Sequence, residues 1–192
     1  MTSEAKTELR RAALGRRAAL PQAARAAFSA RLAGEGLKLA RRFRPQAASA
    51  FYPVRDEPDT LALLALLTGE GVTTALPVTG ARGEPLIFRA WRPGDPTIPG
   101  QMRIPEPPAA AAALDPDLLF VPLSAFDRRG HRIGYGAGHY DRTLAALRAQ
   151  KPIVAVGVAY AVAEVAAVPE GPFDQRLDYV LTDRELIEIR AG

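Results

Sequence analysis

Three short apolar runs, Asp117 to Val121, Ile153 to Val158 and Leu177 to Leu181, are spaced by segments long enough for a crossover, and nothing else in the chain constrains its fold as strongly. Strands apolar on both faces belong to parallel sheets covered by helices on two sides. The first half repeats the plan. Ala47 to Pro53 reads as a strand, Asp59 to Thr68 as a helix opening at a capping Asp, and Val72 to Pro77 as a second strand. Ahead of them, Ser3 to Leu20 is helical with Leu9, Ala13 and Leu20 inward, and Pro21 opens a second helix carrying Phe28, Leu32 and Leu39. Glu84 to Trp91 alternates as a strand, a Pro/Gly-rich loop follows through Pro108, and Asp183 to Ile189 reads as a closing helix.

The fold class expected is therefore α/β: a mostly parallel sheet flanked by helices, in a single three-layer Rossmann-like domain over residues 1–192 with N-terminal helices. Ligands are expected beyond the carboxyl ends of the strands. A chain of 192 residues that is 48% hydrophobic is long enough for one well-buried core. It has no cysteine, so thiolate metal sites and thiol nucleophiles are excluded, and a reducing compartment is favoured. With two histidines, His131 and His139, chemistry must rest on carboxylates, arginine, lysine and backbone. The net charge is +4 and arginine outnumbers lysine 22 to 3, which suits an anionic ligand. Without a basic tail or interleaved aromatics, nucleic acid is disfavoured. No apolar run reaches membrane-spanning length and the N-terminus is polar, so a cytoplasmic protein with no membrane partner is expected.

Between the Asp117 run and the helix expected over Tyr140 to Gln150 lies Arg132-Ile133-Gly134-Tyr135-Gly136-Ala137-Gly138-His139-Tyr140-Asp141. Alternate glycines reach positive φ and leave N–H groups bare for a phosphate, and the positive end of the following helix faces the same place. The spacing G-x-G-x-G is neither the dinucleotide G-x-G-x-x-G nor the G-x-x-x-x-G-K-[ST] loop, and it lies about a dozen residues beyond Val121. By itself it is either an anion cradle or a tight glycine-rich turn.

The run from Asp117 to Arg142 closely resembles the signature of the 5-formyltetrahydrofolate cyclo-ligase family, also called 5,10-methenyltetrahydrofolate synthetase: D-hydrophobic-P-x-x-A/G-F-D-x-x-G-x-R-hydrophobic-G-x-G-x-G-Y/F-Y-D. Lys6-Thr7-Glu8-Leu9-Arg10 resembles the family's K-x-x-L-R, Glu57-Pro58-Asp59-Thr60 its E-x-x-T, Ile104-Pro105-Glu106-Pro107 its I-x-E-P, and Asp174 to Thr182 its closing D-x-x-L-D segment. The matches run in order along nearly the whole chain. Two positions depart: His139 stands where the family usually has an aromatic, and Val78 where some members carry a basic residue.

The resemblance implies ATP-dependent ring closure of 5-formyltetrahydrofolate, mono- or polyglutamylated, to 5,10-methenyltetrahydrofolate by a monomer. It implies Lys6 and Arg132 as catalytic, and Lys6, Arg10, Arg132, Gly134, Tyr135, Gly136, Ala137, Gly138 and Tyr140 as the ATP site. For the folate it implies Tyr52, Glu57, Tyr135, Gly138 and His139, and for Mg²⁺ Asp141 and Asp174. Read without it, Lys6 and Arg10 are equally a basic solvated helix face, Asp141 a helix N-terminal acid, Asp174 a loop cap and Tyr52 a strand aromatic. Phe126, Asp127 and Glu106 read as loop architecture, Arg132 as a loop residue whose loss would spare the fold, and Trp91 as either core or ligand platform.

Overall fold

The computed structural model describes residues 2–81 and 83–189. In chain order its elements are α1 (Thr2–Ala18), α2 (Gln22–Phe43), β1 (Ala47–Ser49), α3 (Leu61–Gly69), β2 (Thr73–Val78), β3 (Ile87–Ala90), β4 (Ile98–Pro99), β5 (Pro105–Glu106), β6 (Ala113–Leu114), β7 (Leu118–Pro122), β8 (Ala125–Phe126), β9 (Arg132–Ile133), α4 (His139–Arg148), β10 (Val154–Val158), β11 (Tyr179–Leu181) and β12 (Leu186–Glu188). The main sheet has eight strands in the order β12-β11-β10-β7-β1-β2-β3-β6. Its centre is parallel, with β2, β1, β7, β10 and β11 running together, and β3, β6 and β12 are added antiparallel at the edges.

The apolar strands divide their side chains between two helical layers, as period two requires. Leu118 and Phe120 of β7 join Phe28 and Leu32 of α2 and Leu63, Leu64 and Leu67 of α3 on one face. Leu119 and Val121 join Leu144 and Leu147 of α4 on the other. This is the three-layer α/β arrangement that the spacing of apolar runs demands. α1 stands apart from both layers and packs through Leu9 and Ala13 on Ala125, Ile133 and Val168.

Among the five parallel strands the chain order is 2-1-3-4-5, so connections leave the sheet in opposite directions at β1 and β7. That topological switch point opens a crevice beyond the carboxyl ends of these two strands. The segment after β1 and the long passage after β7 are therefore placed where a ligand is expected.

The C-terminus differs from the sequence reading. Asp183 to Ile189 is not a helix; a tight turn carries the chain back into β12, paired with β11 through Tyr179↔Glu188. Thr182 explains this. Its hydroxyl accepts the N–H groups of Arg184 and Glu185, and its own N–H donates to the Glu185 carbonyl at 2.9 Å, closing a turn in place of a first helical turn. Leu-Ile-Glu-Ile then alternates with period two, and Ile187 is buried.

Smaller differences concern short local pairs and the ends of elements. The loop after Pro122 contains the β8–β9 hairpin, and the Pro/Gly-rich stretch contains the β4–β5 pair. The strand expected over Ala47 to Pro53 ends at Ser49, and that expected over Glu84 to Trp91 is Ile87–Ala90. α3 starts at Leu61, whose N–H is held by the Asp59 carboxylate at 2.8 Å. No helix among the described residues is long and apolar enough to cross a membrane.

Candidate active site

α1 builds one wall of a cleft of about 1230 Å³ above the switch point. Lys6, Arg10, Leu14 and Arg17 all line it, at helical spacings of four, four and three. That spacing puts one stripe of α1 along the cleft, beside the Leu9 and Ala13 edge that packs on the protein. From Lys6 to Arg17 the stripe runs about 16 Å at the ordinary helical rise.

At the Lys6 end, the Lys6 ammonium pairs with the Asp174 carboxylate, which also accepts the Gly171 N–H at 2.9 Å. Arg10 Nε donates to the Gly134 carbonyl at 2.8 Å and so ties α1 to the glycine segment. Gly136 (φ 104°) and Gly138 (φ 67°) both lie in the left-handed region, where a side chain costs energy. The N–H groups of Tyr135, Gly136 and Ala137 donate to nothing else among the described residues. Gly138 then caps α4, whose N-terminal turn adds its own partial positive charge.

Arg132 is not a loop residue. It lies in β9 with its side chain 3% exposed, one nitrogen donating to the Gln175 carbonyl and Nη2 to Asp141 Oδ1 at 2.8 Å. Burial pulls its guanidinium below the ordinary arginine value, and Asp141 opposes that. Asp141 Oδ1 also accepts the Gln175 N–H at 3.0 Å. The helix-terminal reading of Asp141 and the loop-cap reading of Asp174 therefore both hold in the geometry. In each carboxylate the second oxygen makes no hydrogen bond among the described residues, leaving one hard oxygen donor apiece. No cluster of three metal-ligating side chains occurs among the described residues. Such a pair suits an ion that binds through one or two carboxylates and completes its shell with phosphate oxygens and water.

At the Arg17 end, the turn after β1 carries Asp56 and Glu57. Arg17 Nη2 pairs with Asp56 at 3.0 Å, and its Nη1 donates to the Tyr135 hydroxyl at 2.8 Å. That hydroxyl in turn donates to Glu57 Oε1, while Glu57 Oε2 accepts the Val54 N–H at 3.0 Å. Burial raises the Glu57 carboxyl above its ordinary range and outweighs the hydrogen bonds from Tyr135 and Val54. Burial likewise raises the Tyr135 and Tyr140 hydroxyls. For Arg17 burial opposes the charge, yet Asp56 and Tyr135 together raise it above the ordinary value.

All fourteen site residues expected from the sequence, from Lys6 to Asp174, line this one cleft. Tyr52 does so with its ring edge-on to Trp91, and Trp91 is core: it is 6% exposed, and its indole N–H donates to the Asp95 carbonyl at 3.2 Å. His139 begins α4, and its Nδ1 meets the Glu84 carbonyl at 3.2 Å. Val78 pairs with Ile87 at the end of β2, and its neighbours Pro77 and Thr79 line the cleft.

Asp127 is architecture, as read: fully buried, it accepts the Val168 and His131 N–H groups and the Arg129 guanidinium. Glu106 is buried, accepts the Thr79 N–H at 3.0 Å and also lines the cleft. Sequence reasoning missed Arg17 and Asp56. Arg17 was detectable, because it extends the Lys6–Arg10 stripe by two turns.

A model of the 5-formyltetrahydrofolate cyclo-ligase family matches residues 2–183. A 5-formyltetrahydrofolate cyclo-ligase of Mycolicibacterium smegmatis is 34% identical, with 96% of each chain covered. One of Escherichia coli strain K12 is 32% identical over 73% of this chain and 79% of its own. The NMR structure of Aquifex aeolicus 5,10-methenyltetrahydrofolate synthetase superposes with a TM-score of 0.80 at 26% identity, covering 97% of this chain and 94% of that one.

Proposed function

The chain belongs to the 5-formyltetrahydrofolate cyclo-ligase family, and from that premise we propose that it closes 5-formyltetrahydrofolate to 5,10-methenyltetrahydrofolate at the expense of ATP. The observation that carries this is the polarity of the cleft. One end gathers Lys6, Arg10, Arg132 and the bare amides of the glycine segment; the other presents the half-buried carboxylate Glu57. A triphosphate suits the first end, and a pterin edge rich in N–H donors suits the second.

The chemical obstacle is the formyl oxygen, which does not leave as hydroxide. In the reaction proposed, that oxygen attacks the γ-phosphorus and ADP departs. N10 then adds to the formyl carbon, the C–O bond breaks, inorganic phosphate leaves, and N10 loses its proton. The protein's share is alignment and charge stabilisation. Lys6 and Arg10 reach the phosphates from α1, Arg132 lends its charge from beneath, and the Tyr135 to Ala137 amides hold phosphate oxygens. Glu57, gripped by Tyr135 and Val54, orients the pterin. Asp141 and Asp174 would hold Mg²⁺, which neutralises phosphate charge when bound.

We read residues 1–192 as one domain working in the cytoplasm, a reading supported by the single main sheet that spans Ala47 to Glu188 and by the lack of cysteine. The test is the near-ultraviolet absorbance of the methenyl product when ATP, Mg²⁺ and 5-formyltetrahydrofolate are added. Growth that requires ATP supports the proposal; no ATP-dependent signal overturns it. Glu57→Gln should raise the KM for the folate and leave that for ATP nearly unchanged.

A further inference from the structure

Tyr135 reaches both ends of the cleft from one position in the chain. Its backbone N–H is among the bare amides of the glycine segment, and its hydroxyl donates to Glu57 Oε1 at the opposite end.

Little else orients its side chain. Tyr135 is about half exposed, and its ring belongs to none of the apolar clusters among the described residues. The Arg17 guanidinium lies 6.0 Å from the ring centroid. The ring is therefore placed by the backbone at one end and by the partners of its hydroxyl at the other. On the backbone side it stands between Gly134 and Gly136, the second at φ 104°, and a carbon added to Gly134 would meet nothing within 4 Å. Glycine on both sides and sparse packing leave this stretch to be shaped by what its amides bind.

The hydroxyl end is anchored. Arg17 is buried on α1, and its two terminal nitrogens divide between Asp56 at 3.0 Å and the Tyr135 hydroxyl at 2.8 Å. Asp56 and Glu57 are consecutive in a turn closed by the Glu57 N–H, which donates to the Val54 carbonyl at 3.1 Å. α1 is itself held on the protein through Leu9 and Ala13. The hydroxyl accepts from one anchored group and donates to another, which ties the ring, and with it the glycine segment, to the turn after β1.

We propose that Tyr135 links the nucleotide site to the folate site so that each ligand tightens the other, with Arg17 as the positioning residue of that link. This rests on the functional reading above. Phosphate oxygens on the Tyr135 to Ala137 amides fix the segment, and the fixed segment holds the hydroxyl on Glu57 Oε1. Glu57, gripped at both oxygens, still has lone pairs for the pterin N–H groups and presents them in one orientation. A folate bound first acts along the same path in reverse. The formyl oxygen and the γ-phosphorus are thus aligned chiefly in the ternary complex.

The experiment titrates 5-formyltetrahydrofolate by calorimetry with and without saturating ADP and Mg²⁺, and ADP with and without the folate, on the wild type, Tyr135→Phe and Arg17→Gln. ADP lacks the γ-phosphoryl group that meets the formyl oxygen, so that contact between the ligands does not enter and nothing turns over. In the wild type each ligand should tighten the other by one shared factor, on the order of tenfold. Tyr135→Phe keeps the ring and the amide and loses the hydroxyl alone. Its factor should fall close to one, with a thermal midpoint near that of the wild type, because the ring lies outside the core. Arg17→Gln should lose the factor as well and melt earlier, since Asp56 loses its partner. In turnover, the KM for the folate should fall as ATP rises in the wild type and become independent of ATP in Tyr135→Phe.

A wild type that binds both ligands with a factor of one, or a factor that survives in Tyr135→Phe, overturns the link and leaves the cyclo-ligase reading standing. A wild type that fails to bind ADP or the folate overturns both. A factor retained in full by Arg17→Gln overturns the part given to Arg17.

Discussion

Removing Arg132 tests whether the cation beneath the phosphate end supports the fold as well as the ligand. Its side chain is 3% exposed and pairs with Asp141, itself 28% exposed, and it also donates to the Gln175 carbonyl. Deleting one partner of a fully buried pair costs about 3–5 kcal/mol, mostly from the charge left behind. Asp141 keeps partial access to water, so Arg132→Ala should cost less, about 2–3 kcal/mol. For a chain of this length that lowers the thermal midpoint by about 5–10 °C.

A cycle with Asp141→Ala separates the pair from its surroundings, because the Gln175 contacts are lost in the same way along opposite edges. The coupling should be about 1–2 kcal/mol. Circular dichroism melts without nucleotide read this directly, and melts with ATP and Mg²⁺ then report whether ligand still stabilises the variant. If Arg132→Ala melts with the wild type, or the cycle closes with no coupling, the argument from burial is wrong and Arg132 serves the ligand alone.

Gly136→Ala should raise the KM for ATP and cost about 1–3 kcal/mol of stability, because the backbone is at φ 104° although the nearest atom, Arg10 Nη2, is 3.8 Å from the added carbon; an unchanged KM for ATP would remove this glycine from the cradle. Glu57 holds its proton more tightly in the fold than in the unfolded chain. Its contribution to stability is therefore present at low pH and lost as pH rises through the folded value. Folate binding follows the opposite sense and should weaken as pH falls through a value above the ordinary glutamate range; an acidic limb in the folate KM that persists in Glu57→Gln would assign it elsewhere. Asp127, whose carboxyl is lowered against burial by the Val168, Arg129 and His131 donors, acts the other way. It stabilises above the unfolded carboxylate value and loses that effect as pH falls, so Asp127→Ala should cost about 2–4 kcal/mol at neutral pH, with a gap in thermal midpoint that narrows in acid.

Local chemistry made most of the site legible. Lys6 and Arg10 are one helical turn apart, the glycines from Gly134 to Gly138 alternate within one short motif, and the apolar runs declare buried strands without reference to any partner. These are features of short range, set by periodicity and by the conformational freedom of glycine. The Asp183 to Ile189 segment shows the limit: its composition allows a helix, and the edge of β11 together with the Thr182 turn draws it into a strand instead.

The sequence by itself determined the α/β class through the spacing of its apolar runs and the family through its ordered motifs, and the resemblance in turn implied fourteen of the residues that line the cleft. Only the tertiary structure decided that Arg132 is buried against Asp141 and that Arg17 joins Asp56 to Tyr135 and Glu57. Burial and pairing between residues 39 to 118 positions apart depend on how helices and strands meet, and no local pattern encodes that.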